Sequence, residues 1–207
     1  MPVLTLDLLR HGEAGGADCY RGRSDPALTA QGLSQMLAWE HDNQGWSRLL
    51  SSPLRRCREP ARRLAASMGI PMAEEAALIE YDFGDWDGQR YQDVWQQDRQ
   101  RVMAFWRDPA AHPPPGGETI AALCERIEGL EIRLQGGSDE HLLLLTHGGV
   151  IRALIGRELG LPASAWSQLR VDTGSLSRVK IGYDRNNRWF EFSFLNRLPR
   201  HSNGRDL

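Results

Sequence analysis

Val3-Leu4-Thr5-Leu6-Asp7-Leu8-Leu9-Arg10-His11-Gly12-Glu13 and Leu142-Leu143-Leu144-Leu145-Thr146-His147-Gly148-Gly149 are two apolar runs that end alike. Each reads as a short buried strand, over residues 3–9 and 142–145. Each stops at a histidine followed directly by glycine. In an open α/β sheet, ligands bind beyond the carboxyl ends of the strands. If these two strands are parallel neighbours, two imidazoles face each other at that mouth. With arginines beside them they form a site suited to a phosphate group.

The chain has 207 residues, a length that predicts one domain over 1–198 and a loose tail over 199–207. The net charge of −2 excludes the global basic field that nucleic-acid binding needs. Anion affinity must therefore come from local clusters of arginine, since Lys180 is the only lysine. Arginine grips phosphate oxygens bidentately, although a GC-rich genome enriches it too. Cys19, Cys57 and Cys124 are far apart and give neither a disulfide framework nor a CxxC metal signature. The chain shows no signal peptide and no apolar run near 18 residues, which predicts a cytoplasmic protein without a membrane partner. Nothing in the composition sets an oligomeric state.

Between the two histidine strands the pattern alternates. Thr29 caps a helix carrying Leu33, Met36 and Leu37, and residues 48–51 form a strand. Pro53 starts a helix that runs to Met68 and stops at Gly69. Residues 76–80 read as extended, and 81–88 as a loop rich in Asp, Gly and aromatics. A helix over 91–107 is broken by His112-Pro113-Pro114-Pro115-Gly116-Gly117. Helices follow over 118–134 and 149–159. Late strands are expected over 169–171, 176–183 and 189–195, with a turn at 184–187. Strand–helix alternation predicts a three-layer α/β/α sandwich, with a mostly parallel central sheet and an antiparallel edge.

Four segments could carry chemistry. A neutral imidazole at His11 is a competent nucleophile toward phosphorus, Arg10 beside it neutralises an anion, and Gly12 leaves room for a substrate to approach. A lone histidine at a strand end is more often structural; the second His-Gly pair changes that balance. His147 precedes a helix whose N-terminal amides favour an anion. In Ser51-Ser52-Pro53-Leu54-Arg55-Arg56, one arginine could turn inward, although an adjacent pair is commonly solvated. Glu80 precedes Phe83-Gly84-Asp85-Trp86. Held in an apolar, aromatic loop, its carboxyl would stay protonated and could protonate a leaving alkoxide. Alternatively Glu80, Asp82, Asp85 and Asp87 form an exposed acidic turn, or a fragment of a calcium loop without its later glutamate.

Together these segments resemble the histidine phosphatase superfamily, with its phosphoglycerate mutase-like fold, over residues 3–183. Leu-Arg-His-Gly-Glu at 9–13 is similar to its nucleophile motif, and residues 51–56 to the motif whose second arginine, here Arg56, contacts phosphate. Glu80-Tyr81-Asp82-Phe83-Gly84 resembles the acid loop, and residues 146–149 the second histidine motif. Within the superfamily the chain most resembles the alpha-ribazole phosphatase branch, through Leu6-Asp7-Leu8-Leu9, Tyr20-Arg21-Gly22, residues 83–88 and 114–119. That branch removes phosphate from alpha-ribazole 5′-phosphate or its cobamide form in late cobalamin synthesis. The resemblance implies His11 as nucleophile and Glu80 as proton donor. It implies Arg10, Arg56 and His147 around the phosphoryl oxygens, Arg21, Gly22 and Gly148 as substrate contacts, and neither metal nor other cofactor. Two positions depart from the pattern: Ala14 stands where Ser or Thr is common, and Gly15-Gly16-Ala17 supplies no phosphate-binding Asn. The partner implied is a small-molecule phosphate ester. Competing readings are a phosphoglycerate mutase-type transferase, disfavoured by the modest length, a phosphate-binding regulatory module without turnover, and a two-histidine metal site lacking a third ligand. The wall around residues 86–115, with Trp95, Phe105 and Trp106, is the expected specificity region; at least half of those aromatics are expected in the core.

Overall fold

Apolar residues alternate between two faces of one six-stranded sheet. The structure, a computed structural model, describes residues 3–16, 18–42, 44–135, 140–184 and 187–199. The strands are β1 (Val3–Arg10), β2 (Arg48–Ser51), β3 (Met72–Glu74), β4 (Glu140–Thr146), β5 (Leu176–Asp184) and β6 (Asn187–Arg197), in the spatial order β3-β2-β4-β1-β5-β6. β3, β2, β4 and β1 run parallel, whereas β5 and β6 are antiparallel and close one edge. Among the described residues, five α-helices pack around the sheet: α1 (Ala30–Leu37), α2 (Arg55–Met68), α3 (Tyr91–Arg107), α4 (Ile120–Leu134) and α5 (Gly148–Glu158). Leu6, Leu8, Leu142 and Leu144 pack with Leu123, Ile127 and Leu154 of α4 and α5. Leu9, Leu143 and Leu145 pack with Met36 of α1 and with Ala61 and Leu64 of α2. Both faces are covered, as a parallel sheet requires.

The register decides the function. Leu4 lies opposite Glu140, and the pairing stays in step to Arg10 opposite Thr146. The next residues are His11 and His147, so the two leave the sheet side by side. His11 N–H donates to Thr146 O at 2.9 Å, which fixes the exit of β1 against that of β4.

Several local expectations are corrected. The helix expected from Pro53 begins at Arg55, with Leu54 still extended. Residues 76–80 are not a strand: the strand is Met72–Glu74, and Ala76–Leu78 form a 3-10 turn capped by the Glu75 carboxylate. Residues 169–171 are not a strand either. They follow a 3-10 helix, Ala163–Gln168, and their carbonyls face arginine side chains rather than a neighbouring strand. Of Trp95, Phe105 and Trp106, only Phe105 is buried; both tryptophans are exposed on α3. Thr29 caps α1 by accepting the Gly32 N–H. The expected turn at 184–187 lies between β5 and β6, and its residues 185–186, like 200–207 of the tail, fall outside the described residues. No described helix is long and apolar enough to cross a membrane.

Candidate active site

His11 is buried and its ring is oriented by its own loop. A carbonyl can only accept, so the 2.7 Å contact with Gly12 O places the proton on Nδ1. Nε2 is left with its lone pair. Burial, then the nearby Arg56 and Arg10 guanidinium groups, hold the imidazole pKa well below its ordinary value. The ring is therefore neutral at pH 7, the state a nucleophile needs. The role expected for Gly12 is corrected: a Cβ there would stand 2.0 Å from Gly32 O, so glycine admits the backbone of α1 rather than a substrate.

His147 is fully buried at the start of α5, its ring centroid 5.1 Å from that of His11. Burial, then His11 and Arg56, depress its pKa as well. Both of its nitrogens are engaged: Arg56 Nε lies 3.2 Å from Nδ1 and Ser52 Oγ 2.8 Å from Nε2.

Arg56, not Arg55, turns inward. It is fully buried on the first turn of α2 and donates from Nη1 to Ser24 O (2.6 Å) and from Nη2 to Gly22 O (2.9 Å). Arg55 stays exposed and pairs with Glu59. Gly22 thus meets Arg56 through its carbonyl. Its own N–H and that of Ser24 both donate, at 2.6 Å, to the two oxygens of Asp87. Asp87 is therefore a clamp on the 22–24 loop and not part of an exposed acidic turn. The neighbouring pieces interlock in the same way. Tyr20 packs on Phe83 and Trp86, each at 5.2 Å, and Pro115 O accepts the Asp85 N–H at 2.8 Å. Tyr20-Arg21-Gly22, residues 83–88 and the Pro-Gly loop form one wall.

A cavity of about 350 Å³ opens in front of His11. Arg10, Arg21, Arg152, Glu80 and Gly148 line its polar end; Tyr81, Phe83, Tyr91, Phe105, Trp106 and Trp166 line the rest. Arg10 Nη1 donates to Val171 O and Arg152 Nε to Leu169 O, which anchors both guanidinium groups. A Cβ on Gly148 would meet Arg152 Nη1 at 2.9 Å and Arg10 Nε at 3.4 Å, so glycine here keeps the floor clear between two cations. Arg21 Nη2 donates to Gly15 O at 3.1 Å, on the wall where the family's Asn is lacking. Among the described residues, Arg10, Arg56 and Arg152 form no ion pair. Burial lowers the pKa of all three.

Glu80 sits at the cavity edge, with Oε1 accepting Tyr81 N–H (2.9 Å) and Oε2 accepting Gly149 N–H (3.2 Å). Its carboxyl group is thus held by the Tyr81 amide of its own aromatic loop and by one amide in the first turn of α5. Arg126 braces the same segment, pairing with Glu118 and donating to the carbonyls of Ala77 and Glu80. Sequence reasoning passed over Arg152 and Arg126, and gave Asp87 and Ser52 no role of their own. Arg152 had a usable signal, lying one helical turn after Gly148 and hence on the same face. No group of three or more potential metal ligands occurs among the described residues.

This arrangement can receive a phosphoryl group beside a neutral imidazole, with a carboxylate within the same cavity. Comparison with known proteins agrees. The profile of the histidine phosphatase superfamily (branch 1) matches residues 6–191. An adenosylcobalamin/alpha-ribazole phosphatase of Salmonella typhimurium is 32% identical over 86% of this chain and 91% of its own. A Yersinia pestis protein named "Probable phosphoglycerate mutase GpmB" is 30% identical over 86% and 85%. The solved alpha-ribazole phosphatase of Shigella flexneri superposes with a TM-score of 0.78 at 30% identity, covering 93% of this chain and 96% of that one. Two histidines leave neighbouring parallel strands side by side, and the chain belongs to the histidine phosphatase superfamily, branch 1, and is a hydrolase of phosphate monoesters.

Proposed function

We propose that the chain hydrolyses a small-molecule phosphate ester through a phosphohistidine on His11, without a metal ion, and that its substrate is alpha-ribazole 5′-phosphate or the cobamide form. The observation that carries the mechanism is the Nδ1–H bond of His11 to Gly12 O beside Arg10 and Arg56, which form no ion pair among the described residues. Arg10, Arg21 and Arg56 hold the phosphoryl oxygens, and their charge-assisted bonds orient the ester for in-line attack. His147, both of whose nitrogens are engaged, acts by holding the Arg56 guanidinium rather than by contacting phosphate. The His11 Nε2 lone pair attacks phosphorus, and the P–O bond to the alcohol breaks. Glu80 delivers a proton to the departing oxygen, then takes one from the water that attacks the phosphohistidine, releasing inorganic phosphate and free His11. Arginine spreads the charge that a metal ion handles elsewhere. Gly22 and Gly148 act through shape and backbone.

The substrate reading rests on the aromatic lining of the cavity and on the relatives named alpha-ribazole phosphatase. Tyr91 and Trp106, half-exposed at the mouth, offer faces on which a flat base can stack. The mutase reading retains support from the Yersinia relative. The test is a phosphomonoester panel that includes alpha-ribazole 5′-phosphate, 2-phosphoglycolate, ribose 5-phosphate and 3-phosphoglycerate, run beside His11→Ala. Phosphate release led by alpha-ribazole 5′-phosphate and absent in His11→Ala is expected. Isomerised phosphoglycerate without released phosphate sinks hydrolysis, and full activity in His11→Ala sinks the nucleophile.

A further inference from the structure

Ser52 and Arg56 hold opposite edges of one imidazole. The Nε of a guanidinium carries a hydrogen and offers no lone pair, so across 3.2 Å Arg56 donates and His147 Nδ1 accepts. Nδ1 is then the bare nitrogen of the ring, and the proton sits on Nε2. Ser52 Oγ lies 2.8 Å from Nε2 and accepts it. The nitrogen that carries the proton is set by the bond the ring makes at its other edge. Cys57 Sγ, at 3.6 Å from Nε2 and 3.9 Å from Nδ1, is a weak acceptor whose thiol burial keeps protonated.

Ser52 is itself rigid. It is fully buried where β2 ends, and its hydroxyl also accepts the Leu54 N–H at 3.3 Å, ahead of α2. The opposite tautomer would turn Nδ1–H toward Arg56 Nε–H, donor against donor. An imidazolium would do the same and would add a charge facing Arg56, Arg10, Arg126 and the His11 ring. In either case Arg56 loses one of its three anchors.

We propose that Ser52 is a positioning residue of this site: Arg56 Nε–H selects the tautomer, and Ser52, by accepting the Nε2 proton, holds the ring in the orientation that keeps its Nδ1 lone pair on the Arg56 guanidinium. The inference rests on the phosphatase reading for its kinetic consequence, whereas the tautomer is a property of the free protein and is read without substrate.

Long-range ¹H–¹⁵N spectra, with His147 assigned by its loss in His147→Gln, should show the Nε2–H tautomer in the wild-type protein at pH 7. Ser52→Ala should leave the Nε2–H without its acceptor, shift its ¹H–¹⁵N signal, and lower kcat/KM toward 4-nitrophenyl phosphate about 10-fold, the scale of one buried hydrogen bond. Ser52→Thr, which keeps the hydroxyl, should recover activity to within about 3-fold of wild type on the same scale. In an Arg56→Ala background, Ser52→Ala should cost less than about 3-fold, because residues acting through one another are not additive. A wild-type His147 with its proton on Nδ1, or doubly protonated, overturns the proposal. So does an unchanged His147 Nε2–H signal in Ser52→Ala, or an undiminished loss when Arg56 is absent. A wild-type protein inactive on every phosphomonoester overturns the proposed function instead and leaves the tautomer assignment standing.

Discussion

Replacing Arg56 with lysine keeps the charge and removes the fork. A guanidinium has five N–H donors. In this structure three of them reach Ser24 O, Gly22 O and His147 Nδ1, which leaves two for phosphoryl oxygens. Each charge-assisted bond contributes about 1.5–3 kcal/mol, so two amount to about 3–6 kcal/mol and about 10²–10⁴-fold in rate. Lysine cannot span the two loop carbonyls and the imidazole at once, so little of this is recovered. Arg56→Lys should therefore lower kcat with 4-nitrophenyl phosphate by about 10²–10⁴-fold. The exposed neighbour, changed in Arg55→Lys, should stay within about twofold, since its partner is only Glu59 at the surface. A second variant separates charge from geometry. After burial, the Arg56 charge is the largest influence depressing the His11 pKa. Arg56→Met removes it, the imidazole pKa rises toward its ordinary value, and the neutral nucleophile is lost at a higher pH. The acid limb of kcat/KM should move upward in Arg56→Met and stay near the wild-type position in Arg56→Lys. Urea unfolding of each variant establishes that the fold persists. A folded Arg56→Lys protein with less than tenfold loss would refute the assignment of the two remaining donors to substrate.

Three further outcomes follow from the same geometry. His11 and His147 are held neutral in the folded state, while the unfolded chain titrates near 6.5, so below that pH the unfolded state binds more protons. Stability should fall as pH is lowered from 6.5, with a slope of up to about 1.4 kcal/mol per pH unit for each histidine; urea midpoints that stay flat between pH 7.5 and 5.5 would contradict it. Asp7 is fully buried beneath the sheet and accepts bonds from Arg178, Trp46 and His141. Burial opposes its charge, but those donors win and lower its pKa below 3.8. Asp7→Asn should cost about 3–5 kcal/mol at pH 7 by stranding Arg178, and the deficit should shrink in acid as the wild-type carboxylate protonates below 3.8; an equal deficit at pH 7 and in strong acid would assign the loss to shape. Gly12→Ala forces a methyl toward Gly32 O and should destabilise by about 1–3 kcal/mol while cutting kcat about 100-fold through a displaced His11; unchanged kinetics would show that α1 yields instead.

What could be read from the residues was whatever the chain repeats or pairs locally. The twin strand–His–Gly endings announced a shared mouth, and the β1–β4 register delivers it residue for residue. The short apolar runs identified the central strands because both faces of a parallel sheet are buried. The edges were harder. Residues 76–80 and 169–171 carry strand-like composition, yet each lies over a sheet end where side chains, not a neighbouring strand, take up the backbone groups. Ala77 O and Glu80 O accept from Arg126, Leu169 O from Arg152, and Val171 O from Arg10. Propensity sees none of these partners. Gly12 misled for the opposite reason: its neighbour Gly32 lies in a different element, and the need for two facing glycines is visible only once α1 packs against the loop after β1.

The distribution of arginine completes the reasoning about the site. At the surface the chain pairs its guanidinium groups: Arg48 with Glu140, Arg62 with Glu74, Arg133 with Glu75 and Arg197 with Asp42. Others are paired more fully, as where Arg157 and Arg188 share Glu131 and Glu158. Arg10, Arg56 and Arg152 break that pattern around His11, and carbonyls alone hold Arg10 and Arg152. A fold that supplied carboxylates to these three would be more stable and would bind no phosphate, because the counter-charge would already be present. Leaving them to carbonyl partners keeps their charge available to an incoming dianion, which then receives bonds that water would otherwise supply. Burial keeps both imidazoles neutral and the same positive field adds to it, so a single arrangement of arginines binds the electrophile and helps preserve the nucleophile.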